Sequence, residues 1–145
     1  MRVVLQRVQY ASCTVDGVVT GKCEKGYMLL VGYTHTDNSD INKKMAKKIL
    51  NLRIFEDENG KMNLNINQVG GSILSISQFT LYANTSEGNR PAFIDAMKPD
   101  LANKLYKEFN EELRNLGLHV EEGVFGAHME IRLLNDGPVT INLEF

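Results

Sequence analysis

Three Asp-Gly or Asn-Gly pairs constrain the fold of this chain more than any other feature of its sequence: Asp16-Gly17, Asn59-Gly60 and Asp136-Gly137. Such pairs adopt the positive backbone φ angles that tight hairpin turns require. The first pair lies among valines, and the second separates residues 53–55 from residues 61–64. Because short hairpin connections join neighbouring strands, the sequence predicts more strands than helices, with antiparallel or mixed pairing.

Runs of β-branched and aromatic residues predict where the strands lie. The expected strands are residues 3–8, residues 15–19 around the first turn, a buried strand at 27–33, and a strand at 72–82 entered through Gly70-Gly71. On a regular strand at 72–82, Gln78 and Thr80 would face one side, with Ser77 and Phe79 on the other. In the C-terminal part of the chain, after the second helix, the sequence predicts two or three strands, with breaks at Gly123, Gly126 and Asp136-Gly137-Pro138.

Two segments have the apolar spacing of an amphipathic helix. Asn38 or Ser39 is suited to cap the first helix, whose apolar positions are Ile41, Met45, Ile49 and Leu52. Pro99 is suited to start the second helix, which ends at Gly117. Its expected apolar face consists of Leu101, Leu105, Phe109, Leu113 and Leu116.

These elements together predict an α/β fold of the α+β kind. We expect antiparallel and mixed sheets that form a barrel-like core with two main helices, in a single domain spanning residues 1–145. The start of the chain does not resemble a signal peptide, because only four residues lie between Arg2 and Arg7 and only three of them are apolar. No apolar run is long enough to cross a membrane, so we expect a cytoplasmic protein without a membrane partner.

The formal net charge of −2 limits the nucleic-acid partners. Broad RNA binding is driven by phosphate neutralisation, so this charge disfavours it but leaves contact with the end of an RNA open. Lys43, Lys44, Lys47 and Lys48 lie opposite the apolar face of the first helix. This basic face either contacts RNA phosphates or is simply a solvated helix surface, and the second reading is favoured.

Cysteines and histidines give no recognisable metal or catalytic motif. Cys13 and Cys23 form no CxxC pair, and we expect two buried or half-buried free thiols. The histidines, His35, His119 and His128, have no zinc spacing and support no unambiguous Ser/His/Asp triad. GxSxG, P-loop, GxGxxG and HExxH motifs are absent, and we expect neither a metal nor a cofactor.

Two segments nevertheless carry unusual sets of residues: 77–82 (SQFTLY) and 135–140 (NDGPVT). By composition alone the first is a half-buried strand with local hydroxyl hydrogen bonds, and the second is a tight turn. Together, however, they resemble the two signature motifs of the D-aminoacyl-tRNA deacylase family. The likeness extends over the whole chain, through the segments MRVVLQRV, ASCTVDG, RIFEDENGKMN, GNRPAF and GVFGAHM.

The resemblance implies a homodimer whose active sites lie at the subunit interface. Ser77, Gln78, Phe79 and Thr80 would line a pocket as its catalytic residues. Gly137 and Pro138 of the other subunit, joined by a cis peptide bond, would enter this pocket. Their carbonyls would hold the substrate's amino group and leave no room for an L side chain. Arg7 resembles the arginine that supports this turn.

The implied activity is hydrolysis of the ester of D-aminoacyl-tRNAs. Glycine has no side chain to reject, so glycyl-tRNA mischarged on tRNA(Ala) would also be hydrolysed. Because no general base accompanies Thr80, we favour an RNA-assisted mechanism in which the 2′-hydroxyl of the terminal adenosine helps water attack. N–H groups around Phe79 and Thr80 would then bind the oxyanion. Phe125, Ala127 and Met129 would contact the substrate, although Phe125 and Met129 could equally be core residues.

Two other functions are compatible with the sequence. One is a non-catalytic tRNA-end binding module, similar to the editing domain of some archaeal threonyl-tRNA synthetases. The other is a small-molecule esterase that uses Thr80 or Ser77 as its nucleophile. The first predicts a tight complex without turnover, and the second predicts hydrolysis of simple esters without RNA.

Overall fold

The computed structural model describes all 145 residues of the chain. Eight strands and two α-helices follow one another with a short 3-10 helix between them. In chain order they are β1 (Arg2–Val15), β2 (Val18–Cys23), β3 (Gly26–Gly32), α1 (Ser39–Asn51), β4 (Phe55–Glu56), β5 (Met62–Leu64), β6 (Ser72–Ser77), the 3-10 helix (Phe79–Tyr82), α2 (Pro99–Asn115), β7 (His119–Glu122) and β8 (Glu130–Glu144).

The main sheet is mixed and closes almost completely into a barrel-like core, which confirms the predicted fold class. Its strand order is β2-β1-β3-β6-β7, and β8 pairs with β1. β1 is antiparallel to β2, β3 and β8, whereas β3, β6 and β7 are parallel to one another. The predicted hairpins at Asp16-Gly17 and Asn59-Gly60 are both present, the second as the small β4–β5 sheet.

Both predicted helices form and pack on the sheet. The side chain of Asn38 caps α1 by accepting hydrogen bonds from the N–H groups of Asp40 and Ile41. Met45 and Ile49 of α1, and Phe109 and Leu113 of α2, are completely buried in one core cluster with the apolar side chains of β1, β3 and β6. No helix of the chain has the length and apolar character needed to span a membrane.

The apolar face predicted for α2 is wrong at its first residue. Leu101 is 57% exposed, and the residues that face the core begin instead with Ala102 and continue through Tyr106, Phe109 and Leu113. Leu105 and Leu116 are only partly buried against this cluster. Successive helical residues differ by about 100° in direction, so the stripe that starts at Ala102 faces the sheet while Leu101 points away.

The strand predicted for residues 72–82 ends at Ser77, and the next residues form the 3-10 helix. Its parallel neighbours end close to this point: β3 has one residue, Gly32, beyond the last pair Val31↔Ser77, and the pairing with β7 ends at Ser75↔Glu122. The N–H of Gln78 still donates to the carbonyl of Val31, but the N–H of Leu81 donates back to the carbonyl of Gln78. The expected alternation of side chains beyond Ser77 is therefore wrong.

The chain does not turn between two strands at Asp136-Gly137-Pro138. The breaks at Gly123 and Gly126 are confirmed, but β8 continues across the third break and pairs with β1 on both sides of it. Asn135 is opposite Val8 and Thr140 is opposite Gln6, so residues 136–139 face Arg7 alone. The extra residues form a large bulge, because the ladder on either side holds both strands in register.

Candidate active site

A cavity of about 640 Å³ lies where β3 and β6 end and α2 begins. It brings together two segments that are far apart in the sequence. Ser77, Gln78 and Phe79 line it from one side, and residues 125–129 line it from the other. This volume falls within the range of roughly 300–1,000 Å³ that is usual for small-molecule sites. Of the residues expected in the pocket, Phe125, Ala127 and Met129 are therefore present in its wall, whereas Thr80 is not.

The main chain at the edge of this cavity presents unpaired hydrogen-bond donors. Phe79 and Thr80 are the first two residues of the 3-10 helix, so their N–H groups have no partner within it. Neither N–H donates to any of the turn or loop carbonyls. The early end of β6 thus creates a pair of free N–H groups beside the cavity, which a continuous strand would have used for pairing.

The hydroxyl groups of this segment are not hydrogen-bonded to a catalytic base. The side chain of Gln78 donates a hydrogen bond to the hydroxyl of Thr80, and this is the only side-chain hydrogen bond of Thr80. Ser77 forms no side-chain hydrogen bond. None of the three histidines bonds to either hydroxyl; His35, for example, contacts the carbonyl of Ile94. The arrangement lacks the hydrogen-bonded base that a serine or threonine nucleophile needs.

Two aromatic residues that were not singled out as site residues from the sequence, Tyr33 and Phe93, also line the cavity. Phe79 is 58% exposed and packs edge-on against Phe93, with ring centroids 4.9 Å apart. Tyr33 donates a 2.8 Å hydrogen bond to Asn42, and burial raises the pKa of its hydroxyl well above the usual range. Phe93 could have been found from the sequence, because it is the aromatic residue that ends the segment GNRPAF, which is part of the family resemblance.

Gly137 and Pro138 lie on the bulge of β8, and the peptide bond between them is cis, the isomer implied by the resemblance. Both residues are exposed, and neither lines the cavity of its own chain. The side chain of Asn135 closes the bulge: it accepts a hydrogen bond from the N–H of Val139 and donates to the carbonyl of the same residue. The carbonyls of Gly137 and Pro138 accept none of these bonds.

Arg7 supports the bulge from inside the protein. Its side chain is almost fully buried, and it donates to the carbonyls of Asp136 at 2.9 Å and Ile54 at 2.6 Å. A Cβ placed on Gly137 would lie 3.2 Å from Nη2 of Arg7 and 2.8 Å from a methyl group of Val139. The bulge is therefore packed closely on its inner side and open on its outer side.

The remaining candidates from the sequence lie away from the cavity, with one exception. The side chains of Lys43, Lys44, Lys47 and Lys48 are exposed and form no salt bridge. Cys13 and Cys23 are buried, as expected. No group of three or more His, Cys, Asp or Glu side chains is arranged to hold a metal ion. The exception is His128, which lines the cavity.

Comparison with known proteins gives the same family over nearly the whole chain. Residues 4–144 match the model of the family described as D-Tyr-tRNA(Tyr) deacylase. A D-aminoacyl-tRNA deacylase of Deinococcus radiodurans is 55% identical over 144 residues, which is 99% of each chain. The corresponding protein of Bacillus cytotoxicus is 58% identical over the same length and the same share of each chain.

Solved structures also resemble this chain. A protein described as c-Myc DNA Unwinding Element Binding Protein superposes with a TM-score of 0.94 at 41% identity, covering 100% of this chain and 99% of the other. A probable eukaryotic D-amino acid tRNA deacylase has a TM-score of 0.82 at 17% identity, with 98% of both chains covered. At that identity the second likeness concerns the fold alone.

Proposed function

The chain belongs to the D-Tyr-tRNA(Tyr) deacylase family and is a hydrolase of that family, and on this premise we propose that it releases free D-amino acids from D-aminoacyl-tRNAs. The reaction adds water across the ester between the amino acid and the terminal ribose. Its products are the D-amino acid and the intact tRNA. The protein therefore acts as a proofreading enzyme of translation, and its proposed location is the cytoplasm.

The observation that carries the proposal is the pair of free N–H groups at Phe79 and Thr80 beside the cavity. Attack of water on an ester carbonyl places negative charge on its oxygen. Fixed N–H donors stabilise such an oxyanion, because they need no reorganisation during the reaction. Ser77, Gln78, Phe79 and Thr80 contribute to catalysis mainly by positioning these donors and the ester.

No histidine or carboxylate side chain is hydrogen-bonded to the hydroxyl of Ser77 or Thr80 as a general base. We therefore assign this role to the substrate: the 2′-hydroxyl of the terminal adenosine assists the attacking water. An aminoacyl ester is already reactive, so modest assistance is sufficient. Phe125, Ala127 and Met129 frame the adenosine and the aminoacyl group on the opposite wall.

We propose that Gly137 and Pro138 decide which enantiomer is accepted, and that they do so in the cavity of a second copy of the chain. Two features support this arrangement: the outward bulge does not line its own cavity, and β8 pairs only with β1 and leaves its other edge free. The two open carbonyls hold the amino group of the substrate. An L side chain would then collide with the turn, whereas D side chains and glycine do not. Glycyl-tRNA(Ala) is consequently a second substrate.

The decisive experiment follows ester loss from D-tyrosyl-tRNA, L-tyrosyl-tRNA and glycyl-tRNA in parallel. We expect hydrolysis of the D-tyrosyl and glycyl esters, with the L-tyrosyl ester essentially untouched. Comparable rates on both enantiomers would contradict the stereochemical proposal. Tight binding without turnover would instead indicate a non-catalytic tRNA-end module. Hydrolysis of D-tyrosine ethyl ester at the same rate as D-tyrosyl-tRNA would indicate a simple esterase.

A second assay separates RNA assistance from a threonine or serine nucleophile. Thr80→Ala and Ser77→Ala should retain turnover within about tenfold of the wild type, because neither hydroxyl contacts a base. A 3′-aminoacylated tRNA that ends in 2′-deoxyadenosine should react far more slowly. The mechanism is wrong if a folded Thr80→Ala protein is inactive while the deoxy substrate reacts normally.

A further inference from the structure

The cavity wall contains two basic side chains, Lys98 and His128, and no Asp or Glu side chain. Lys98 immediately precedes α2, and His128 belongs to the loop that leads into β8. Both side chains are exposed, and neither forms a hydrogen bond or salt bridge with another residue of the chain. Asp95 and Asp100 are near Lys98 in the sequence, but neither lines the cavity. Two separate segments therefore provide unpaired basic groups to the same cavity.

A wall of this kind favours a negatively charged ligand group. Lysine is an effective phosphate ligand because its ammonium is a compact charge with three donors. Imidazole can also donate a hydrogen bond to a phosphate oxygen, and it adds a charge when protonated. The chain as a whole has a formal net charge of −2, so attraction for an anion at this point must come from local groups.

D-tyrosyl-tRNA, as an example of the proposed substrates, offers only one kind of anionic group. Its amino group is a cation or a neutral amine, its ester and adenine are uncharged, and its first negative charge is the phosphate attached to the 5′ oxygen of the terminal adenosine. Resting on the proposed function, we propose that Lys98 and His128 form a phosphate-binding subsite for this group. The subsite fixes the direction in which the RNA leaves the cavity and so orients the ester toward the N–H groups of Phe79 and Thr80.

The test compares two small substrates that differ only in this phosphate: the D-tyrosyl ester of adenosine and the D-tyrosyl ester of adenosine 5′-monophosphate. The quantity measured is the ratio of their kcat/KM values. For the wild type we expect a ratio of roughly ten at low salt in favour of the phosphate, as for a charge-assisted contact. The ratio should fall as salt is added, because salt screens partly exposed charges.

In the double variant Lys98→Ala/His128→Gln the ratio should fall to about one and lose its dependence on salt. Lys104→Ala is the matched control: Lys104 is exposed on the same helix and does not line the cavity. It should keep the wild-type ratio. A thermal unfolding transition in each variant establishes that the variant is folded. If both residues contribute, the single variants Lys98→Ala and His128→Gln should give kcat/KM ratios between those of the wild type and the double variant.

A folded double variant with the wild-type ratio and salt dependence would overturn the phosphate subsite, and so would an equal loss of the ratio in Lys104→Ala. Failure of the proposed function is recognisable separately. In that case the wild-type protein hydrolyses neither small ester and no D-aminoacyl-tRNA, whatever the phosphate content of the substrate.

Discussion

Arg7 donates a 2.9 Å hydrogen bond from Nε to the main-chain carbonyl of Asp136, although the two residues are 129 positions apart in the sequence. Nη1 of the same guanidinium donates to the carbonyl of Ile54 at 2.6 Å. Arg7 is only 5% exposed, so this double contact is shielded from water. One buried side chain thereby joins the bulge of β8 to the segment that leads into the β4–β5 hairpin.

Replacing Arg7 by lysine should damage both stability and activity. Lysine keeps the charge, but its single ammonium cannot reproduce a planar fork that reaches two carbonyls. We expect the free energy of unfolding to fall by about 2 kcal/mol, the scale of a lost hydrogen bond to a charged group. kcat/KM for D-tyrosyl-tRNA should fall roughly tenfold or more, because the turn loses its position. Urea unfolding and deacylation assays measure the two effects.

The control for this substitution is Arg132→Lys, at an exposed position of β8 whose side chain forms no salt bridge. It should change neither quantity measurably. Equal behaviour of the two variants would mean that Arg7 contributes only its charge.

Gly137→Ala should be much more disruptive than Gly88→Ala. The two glycines have similar positive φ angles, +139° and +132°, so the backbone strain of an alanine is comparable. A Cβ at Gly137 would lie 2.8 Å from Val139, whereas a Cβ at Gly88 would contact nothing within 4 Å. We expect an extra loss of about 2 kcal/mol in unfolding free energy for Gly137→Ala. We also expect rejection of L-tyrosyl-tRNA to weaken in that variant only.

The proposed cross-subunit site can be tested by mixing two inactive variants. Thr80→Pro removes one of the free N–H groups, and Gly137→Val alters the turn. If each site combines Thr80 of one chain with Gly137 of another, a mixed dimer contains one intact site. Random exchange in an equimolar mixture should then restore about one quarter of the wild-type activity. No restoration after verified subunit exchange would indicate that both elements act within one chain.

The thiol of Cys23 should be unreactive and should weaken the fold at high pH. Burial raises its pKa to about 11 from the ordinary value of 9.0 for a cysteine thiol. Iodoacetamide at pH 8 should therefore not label Cys23 unless the protein unfolds. Above pH 9 the thiol ionises first in the unfolded chain, so stability that is present below pH 9 is lost as pH rises toward 11. Cys23→Ala should flatten this part of a stability-against-pH curve, and an unchanged curve would contradict the assignment.

Sequence reasoning succeeded where local interactions decide the structure. Asn38 caps α1 with its own side chain, and the Asp16-Gly17 turn uses positive φ angles that these residue types accept. The motifs at 77–82 and 135–140 were also recognisable, because their residue types are unusual in combination. In each of these cases the deciding contacts lie within a few residues of one another.

The structure differs from the sequence-based expectation where distant partners decide. β6 ends at Ser77 because its neighbours β3 and β7 supply no further partners, and no propensity of Phe79 or Thr80 reveals this. Asp136-Gly137-Pro138 has the composition of a hairpin turn, yet β1 holds both flanks of β8 in register and converts it into a bulge.

The sequence by itself thus determined the helices, most strands, the first two turns and the family signature, since these depend on local backbone preferences and short motifs. Only the tertiary structure decided that Ser77–Phe79 and residues 125–129 share a cavity, that free N–H groups lie at its edge, and that the Gly137-Pro138 turn does not line it. The physical reason is that hydrogen bonds and packing between distant segments override local propensity. A strand continues where a partner strand is available for pairing, and it ends where the partner ends.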